Sequence, residues 1–204
     1  MAGFGWEYVW SVVAFSFAMS VTPGPNNTIT FNTALNYGFF RAMPYMLGVS
    51  LGLPVMMIVV SWGLRDFLGA YPEVYRYLGY AGALYILYLS WKIATAVPFD
   101  AGGVPDEKNK TRRPAFWNAV LFQWMNPKAW ILVLTATTVY VGADRSPANL
   151  FFLCTVFFLA CFVSLILWGY AGSLSGRFIR SPRVYRVLNI GMGLLLASSV
   201  VSML

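Results

Sequence analysis

Histidine is absent from this 204-residue chain, and aspartate and glutamate together number seven. With so few acids beside it, the missing histidine removes most metal chemistry, histidine-based general acid–base catalysis and Ser-His hydrolysis. No metal and no cofactor are expected. Charged residues make up 10% of the chain, against about 25% in a soluble domain, so the bulk of it lies in lipid. A long polar segment is missing too. The longest runs from Pro98 to Pro114, which is a loop and leaves no room for a soluble domain. The N-terminus lacks a basic n-region and carries Glu7, so no cleaved signal peptide is expected. Cysteine occurs twice. Cys154 and Cys161 fall seven residues apart in one predicted helix, about 10 Å along its axis. A disulfide needs Cα atoms within about 7 Å, so both read as packing residues.

What remains is 59% hydrophobic, with a mean hydropathy of +0.65. The length suits five to seven spans of roughly 20 residues each. Two apolar stretches carry helix breakers where a span should be continuous. Thr22-Pro23-Gly24-Pro25-Asn26-Asn27 interrupts the stretch from about Trp6 to Tyr37. Asn126-Pro127-Lys128-Ala129 interrupts the stretch from about Phe116 to Gly142. Proline lacks the N–H and clashes with the preceding turn. In hydrocarbon the freed backbone groups are tolerated only where protein or a water-filled cavity meets them. The first stretch spans roughly 50 Å as straight helix against a core of about 30 Å. Tilt, an unwound break or a partly re-entrant second half must absorb the excess.

The reading is an all-α integral membrane protein of six transmembrane helices. Shifting the sequence by 102 residues lays Pro25 on Pro127 and Thr33-Ala34 on Thr135-Ala136. Repeat one covers about 1–97, a loop about 98–114, and repeat two about 115–204. Each repeat is a broken span followed by two unbroken ones. Three spans per repeat is odd, so the two halves have inverted topology, with broken first helices near the midplane. Ten basic residues (Arg41, Lys92, Lys108, Lys110, Arg112, Arg113, Arg177, Arg180, Arg183, Arg186) face three (Arg65, Arg76, Arg145) across the membrane. The positive-inside rule then makes the first side cytoplasmic and puts both termini outside. This bias also accounts for the net charge of +7 without a nucleic-acid partner. Gly48-x-x-x-Gly52 permits a close helix contact, either within the chain or with a second copy in a homodimer.

The breaks share their chemistry. Asn126 and Gly24 suit N-cap positions, and Pro127 and Pro25 suit first helical positions. Each break thus starts a half-helix whose N-terminus offers free N–H groups to an anion. Lys128 adds a full positive charge.

The chain resembles the LysE/RhtB family of bacterial amino-acid exporters. The motifs that carry the likeness are Thr22-Pro-Gly-Pro-Asn-Asn27, Gly38-Phe-x-Arg41 and Gly48-x-Ser-x-Gly52. To these add Gly79-Tyr-Ala-Gly-Ala-Leu-Tyr85, Trp91-Lys92, Phe116-Trp117, Gln123 and Asn126-Pro-Lys-Ala129. Trp91-Lys-Ile-Ala-Thr95 and Phe116-Trp117 look most like the branch exporting cysteine and O-acetylserine. The resemblance implies an inner-membrane permease, not an enzyme, that expels amino acids at the expense of the proton gradient.

No Asp or Glu falls well inside a predicted span. A basic substrate would want an acidic partner there, so a small neutral zwitterion is expected, in the class of cysteine, O-acetylserine, homoserine and threonine. Its carboxylate would meet the half-helix ends and Lys128. Its ammonium would meet carbonyls freed by the breaks. The candidate substrate-binding residues are Gly24, Pro25, Asn26, Asn27, Gln123, Asn126, Pro127 and Lys128, with Glu7 or Asp66 as possible proton carriers. A passive channel, which also uses broken helices, and a membrane-embedded enzyme are the alternatives.

Overall fold

Proline sets the helix boundaries. A computed structural model describes residues 5–64, 70–95, 116–141, 146–178 and 182–201. Within them lie eight α-helices and no strand: α1 (Trp6–Val21), α2 (Pro25–Tyr37), α3 (Phe39–Val59), α4 (Pro72–Ala94), α5 (Phe116–Met125), α6 (Pro127–Ala136), α7 (Pro147–Phe178) and α8 (Pro182–Val201). Five of the eight open on a proline, whose fixed φ and missing N–H cost nothing at a first helical position. Wider π-helical turns, Val60–Leu64 and Thr137–Val141, extend α3 and α6.

The breaks fall where the sequence puts them, after Val21 and after Met125. They also explain why few helices span alone. Phe39–Gly63 and Pro147–Gly176 are long and apolar enough to cross by themselves. At 1.5 Å per residue α1 reaches only about 24 Å, α2 about 20 Å and α5 about 15 Å, so each needs its continuation beyond the break.

Helix directions follow from the contacts. Tyr8 meets Phe152, Phe15 meets Phe157, and Phe31 meets Trp168; Leu35 meets Gly176. Residue numbers rise together, so α1 and α2 both run parallel to α7. The second half therefore continues the crossing and does not re-enter. The second broken segment runs the other way past the first. Tyr8 donates to the Tyr140 carbonyl, Lys128 reaches Thr22, and Asn26 reaches Gln123. Helix α3 is antiparallel to α7, with Met46 against Gly169 and Pro54 beside Cys154. Helix α4 is antiparallel to α8, with Ser90 and Ala94 against Gly193 and the earlier Ala83 and Ile86 clustered with the later Leu196.

The main core lies among α1, α3, α6 and α7, around Met46, Met56, Met57, Val133 and Phe157. A smaller cluster of Ala83, Ile86 and Leu196 joins α4 to α8. Outward faces carry exposed Leu121, Phe151, Val187 and Leu194, as lipid contact requires. Gly48 and Gly52 are buried against Phe116, Ala119 and Val120 of α5, so this pair packs inside the chain and is not offered to a second copy. Cys154 and Cys161 are free and buried. Arg41, Lys92, Arg183 and Arg186 gather at the end where α4 stops and α3 and α8 begin, while Glu7 and Glu73 sit at the starts of α1 and α4. The basic loop 98–114, Arg65, Asp66, Asp144, Arg145 and Arg180 lie outside the described residues.

Glycines along α7 let α2 lie directly on it. A Cβ on Gly172 would overlap the Phe31 carbonyl, which is backbone and cannot turn aside, whereas Gly191 of α8 has open space. Overpacking typically costs about 1–3 kcal/mol. Gly172→Val should therefore lower the thermal midpoint of the detergent-solubilised protein by several degrees, and Gly191→Ala, which meets no neighbour and favours the helix, should not lower it.

Candidate functional site

The first break ends α1 at Val21 and frees its last carbonyls, which carry the negative end of the helix dipole. Side chains from two other helices and from α6 converge on them. Asn27 Nδ2 of α2 donates to the carbonyls of Ser20 (2.8 Å) and Thr22 (2.9 Å). Ser164 Oγ of α7 donates to the Ser20 carbonyl at 2.8 Å, and Trp168 Nε1 donates to that of Val21 at 3.1 Å. Lys128 Nζ donates to Thr22 O at 2.6 Å and Pro23 O at 3.3 Å. Lys128 Nζ thus bonds the carbonyl end of α1 while its side chain lies against Gly24, the cap of α2. A cation is attracted by a helix C-terminus, which the freed carbonyls of α1 supply.

The two half-helix starts differ. Asn126 caps α6 through its side chain, which accepts from the Lys128 N–H at 3.1 Å. The Ala129 N–H bonds the Asn126 carbonyl at 2.9 Å. That end is satisfied internally. Gly24 caps α2 with no side chain to offer. Pro25 has no N–H, and the first backbone bond back to the cap is Thr28 N–H to Gly24 O at 3.0 Å. The N–H groups of Asn26 and Asn27 therefore have no intrahelical acceptor. Of the two ends expected to attract an anion, α2 is the open one.

A cavity of about 40 Å³ lies between them, walled by Gly24, Pro25, Asn26, Asn27, Gln123, Asn126 and Lys128. Of the eight residues chosen from the sequence, only Pro127 stands outside this wall, starting α6 behind it. Asn26 Nδ2 donates to Gln123 Oε1 at 2.8 Å, and Tyr45 donates to Asn26 Oδ1 at 3.2 Å. Gln123 is 1% and Asn126 2% exposed, so these polar groups are satisfied by one another inside the protein. Sequence reasoning missed Tyr45, Ser164, Trp168 and Cys161, whose thiol lines the cavity. Tyr45 and Trp168 look like ordinary aromatic bulk in a span, and Cys161 like packing; only the folding of α3 and α7 onto the first break reveals them. Glu7 lies near the start of α1, far along the chain from the break.

Comparison with known proteins bears on what this arrangement serves. Residues 17–203 match the family described as LysE type translocator. The chain belongs to the LysE family. LysE-family relatives include the cysteine/O-acetylserine efflux proteins of Salmonella paratyphi A and Salmonella typhi, each 31% identical over 186 residues and covering 89% of this chain and 90% of the relative. The protein of the same name from Escherichia coli O157:H7 is 30% identical over the same shares. No solved structure matches the chain. Membership makes this a transmembrane transporter, and the two breaks both fall within the matched region.

Because Asn26 and Gln123 touch across the two breaks, they should couple. Contacting pairs show interaction energies of about 0.5–3 kcal/mol. In a double-mutant cycle with Asn26→Ala and Gln123→Ala, the stability losses should fall short of additivity by about 1 kcal/mol. Additive losses would mean that the breaks are joined elsewhere.

Proposed function

We propose that this LysE-family protein exports a small neutral amino acid or derivative across the bacterial inner membrane, driven by the proton gradient. The observation that carries this reading is the pairing of opposite ends at one cavity. The open N–H groups of α2 suit a carboxylate, and the carbonyl end of α1 suits an ammonium. A zwitterion bears both. No Asp or Glu lines the cavity among the described residues, which disfavours lysine or arginine, whose second positive charge would go unpaired. Asn26, Gln123 and Tyr45 supply neutral polar contacts for a short side chain. The names of the relatives favour cysteine and O-acetylserine within this class.

The architecture we infer is six alternating spans in two inverted repeats. Three antiparallel pairs support it: the two broken segments, α3 with α7, and α4 with α8. Each pair joins an element of one half to its counterpart in the other, as an axis in the membrane plane requires. The basic end is placed in the cytoplasm and both termini outside.

Two experiments test this. Inside-out vesicles should take up cysteine, O-acetylserine, homoserine or threonine against a gradient, and lysine at least about tenfold more slowly. Accumulation that never exceeds equilibration would indicate a channel, and preference for lysine would overturn the substrate class. For orientation, single cysteines near Ser146 and Lys108 in a Cys154- and Cys161-free background should react differently with an impermeant thiol reagent on intact cells. Labelling near Ser146 alone is expected; labelling near Lys108 alone would invert the topology.

A further inference from the structure

The Lys128 side chain occupies the place that the exporter reading assigns to the substrate ammonium. Its Nζ lies 2.6 Å from Thr22 O and 3.3 Å from Pro23 O, at the carbonyl end of α1. The other carbonyls there are already bonded to Asn27, Ser164 and Trp168. A second ammonium at this end thus competes with Lys128 for Thr22 O and Pro23 O. The remaining cavity of about 40 Å³ has room for about three waters at 10–15 Å³ each, and a free amino acid is larger. Gly24 sets the fit. A Cβ there would stand 2.9 Å from Lys128 Cδ and 3.1 Å from Nζ, so the bare backbone is what lets the lysine lie down.

We propose that Lys128 is the proton carrier of the exporter, its ammonium and the substrate ammonium occupying the Thr22 and Pro23 carbonyls in alternation. This rests on the exporter reading and deepens it. Facing the cytoplasm, the substrate ammonium displaces Lys128. An ammonium stripped of its acceptors inside protein is the disfavoured form, so Lys128 gives its proton to the cytoplasm and becomes a neutral amine. The net-neutral zwitterion then crosses. Once it leaves outside, the amine takes a proton from the outer solution and the ammonium returns to the carbonyls. One proton enters for each amino acid expelled, and no other reactant is needed. The titratable groups facing Lys128 are the Cys161 thiol of α7 and, through Asn26, the Tyr45 hydroxyl of α3. The cavity walls contributed by α1, α2 and α5 bring none.

The test uses purified protein in proteoliposomes, with the membrane potential clamped at zero and the four amino acids above as probes. Under one pH unit of gradient the wild type should accumulate its best substrate up to tenfold, the limit for one-for-one exchange. In weakly buffered detergent solution at pH 7, binding of that amino acid should release close to one proton per site. Lys128→Gln should retain measurable but reduced substrate-for-substrate counterflow, lose gradient-driven accumulation entirely and release no proton. Lys128→Arg should lose both modes by more than tenfold, because a guanidinium holds the carbonyls and keeps its proton. Gradient-driven accumulation by Lys128→Gln, or wild-type binding without proton release, overturns the Lys128 assignment and leaves the exporter reading standing. A wild type that exchanges none of the four overturns both. If Lys128→Gln does not insert, proton release by the wild type decides.

Discussion

A helix that stops inside a membrane must have its last carbonyls met by protein or by a water-filled cavity. Everything at the centre of this protein follows from that constraint at the end of α1. An unsatisfied backbone group in hydrocarbon costs several kcal/mol, and four consecutive residues, Ser20 to Pro23, present carbonyls there. Asn27 turns back on them from the next half-helix, Ser164 and Trp168 reach them from α7, and Lys128 reaches them from the other half of the chain. The break is therefore also a junction. The same bonds that satisfy the backbone hold α1, α2, α6 and α7 in register around one cavity.

The junction is polar but unequally secured. Asn27, Ser164 and Trp168 are held by their own helices. Lys128 alone is a long, flexible side chain with a mobile charge, resting against a glycine. Across the cavity, Asn126 closes the start of α6 while Gly24 leaves the start of α2 open. One fixed face and one yielding face are what a transport site needs, since a ligand must be held and then released. The long α7 supports both halves of the first broken span.

Much of this was legible beforehand. Pro23, Pro25 and Pro127 announce the breaks because cap residues, Gly24 and Asn126, stand beside them; proline alone does not suffice, since Pro44 and Pro54 lie inside an unbroken α3. The capping roles of Gly24 and Asn126 follow from residue type. The pairing of the two breaks was expected from the offset of the halves, whereas Gln123 entered through the family resemblance. The direction taken by Lys128 was not expected, because it depends on how closely α6 approaches the end of α1. Tyr45, Ser164, Trp168 and Cys161 were silent for a related reason: their spacing in α3 and α7 is that of packing residues, and their function lies in a partner surface distant in sequence. The 32-residue α7 is longer than an ordinary span of roughly 20 residues, and its Gly172 and Gly176 lie against Phe31 and Leu35 of α2.

The central claim is that the two breaks together form the substrate site. Cys161 lines that cavity and reports on it directly. In a Cys154→Ser protein, the rate at which a small neutral alkylating reagent modifies Cys161 is measured with and without saturating O-acetylserine. The account predicts that the amino acid slows modification several-fold, while lysine at the same concentration does not. Equal rates in the presence of O-acetylserine, under conditions where it is transported, would place the substrate elsewhere and contradict the account.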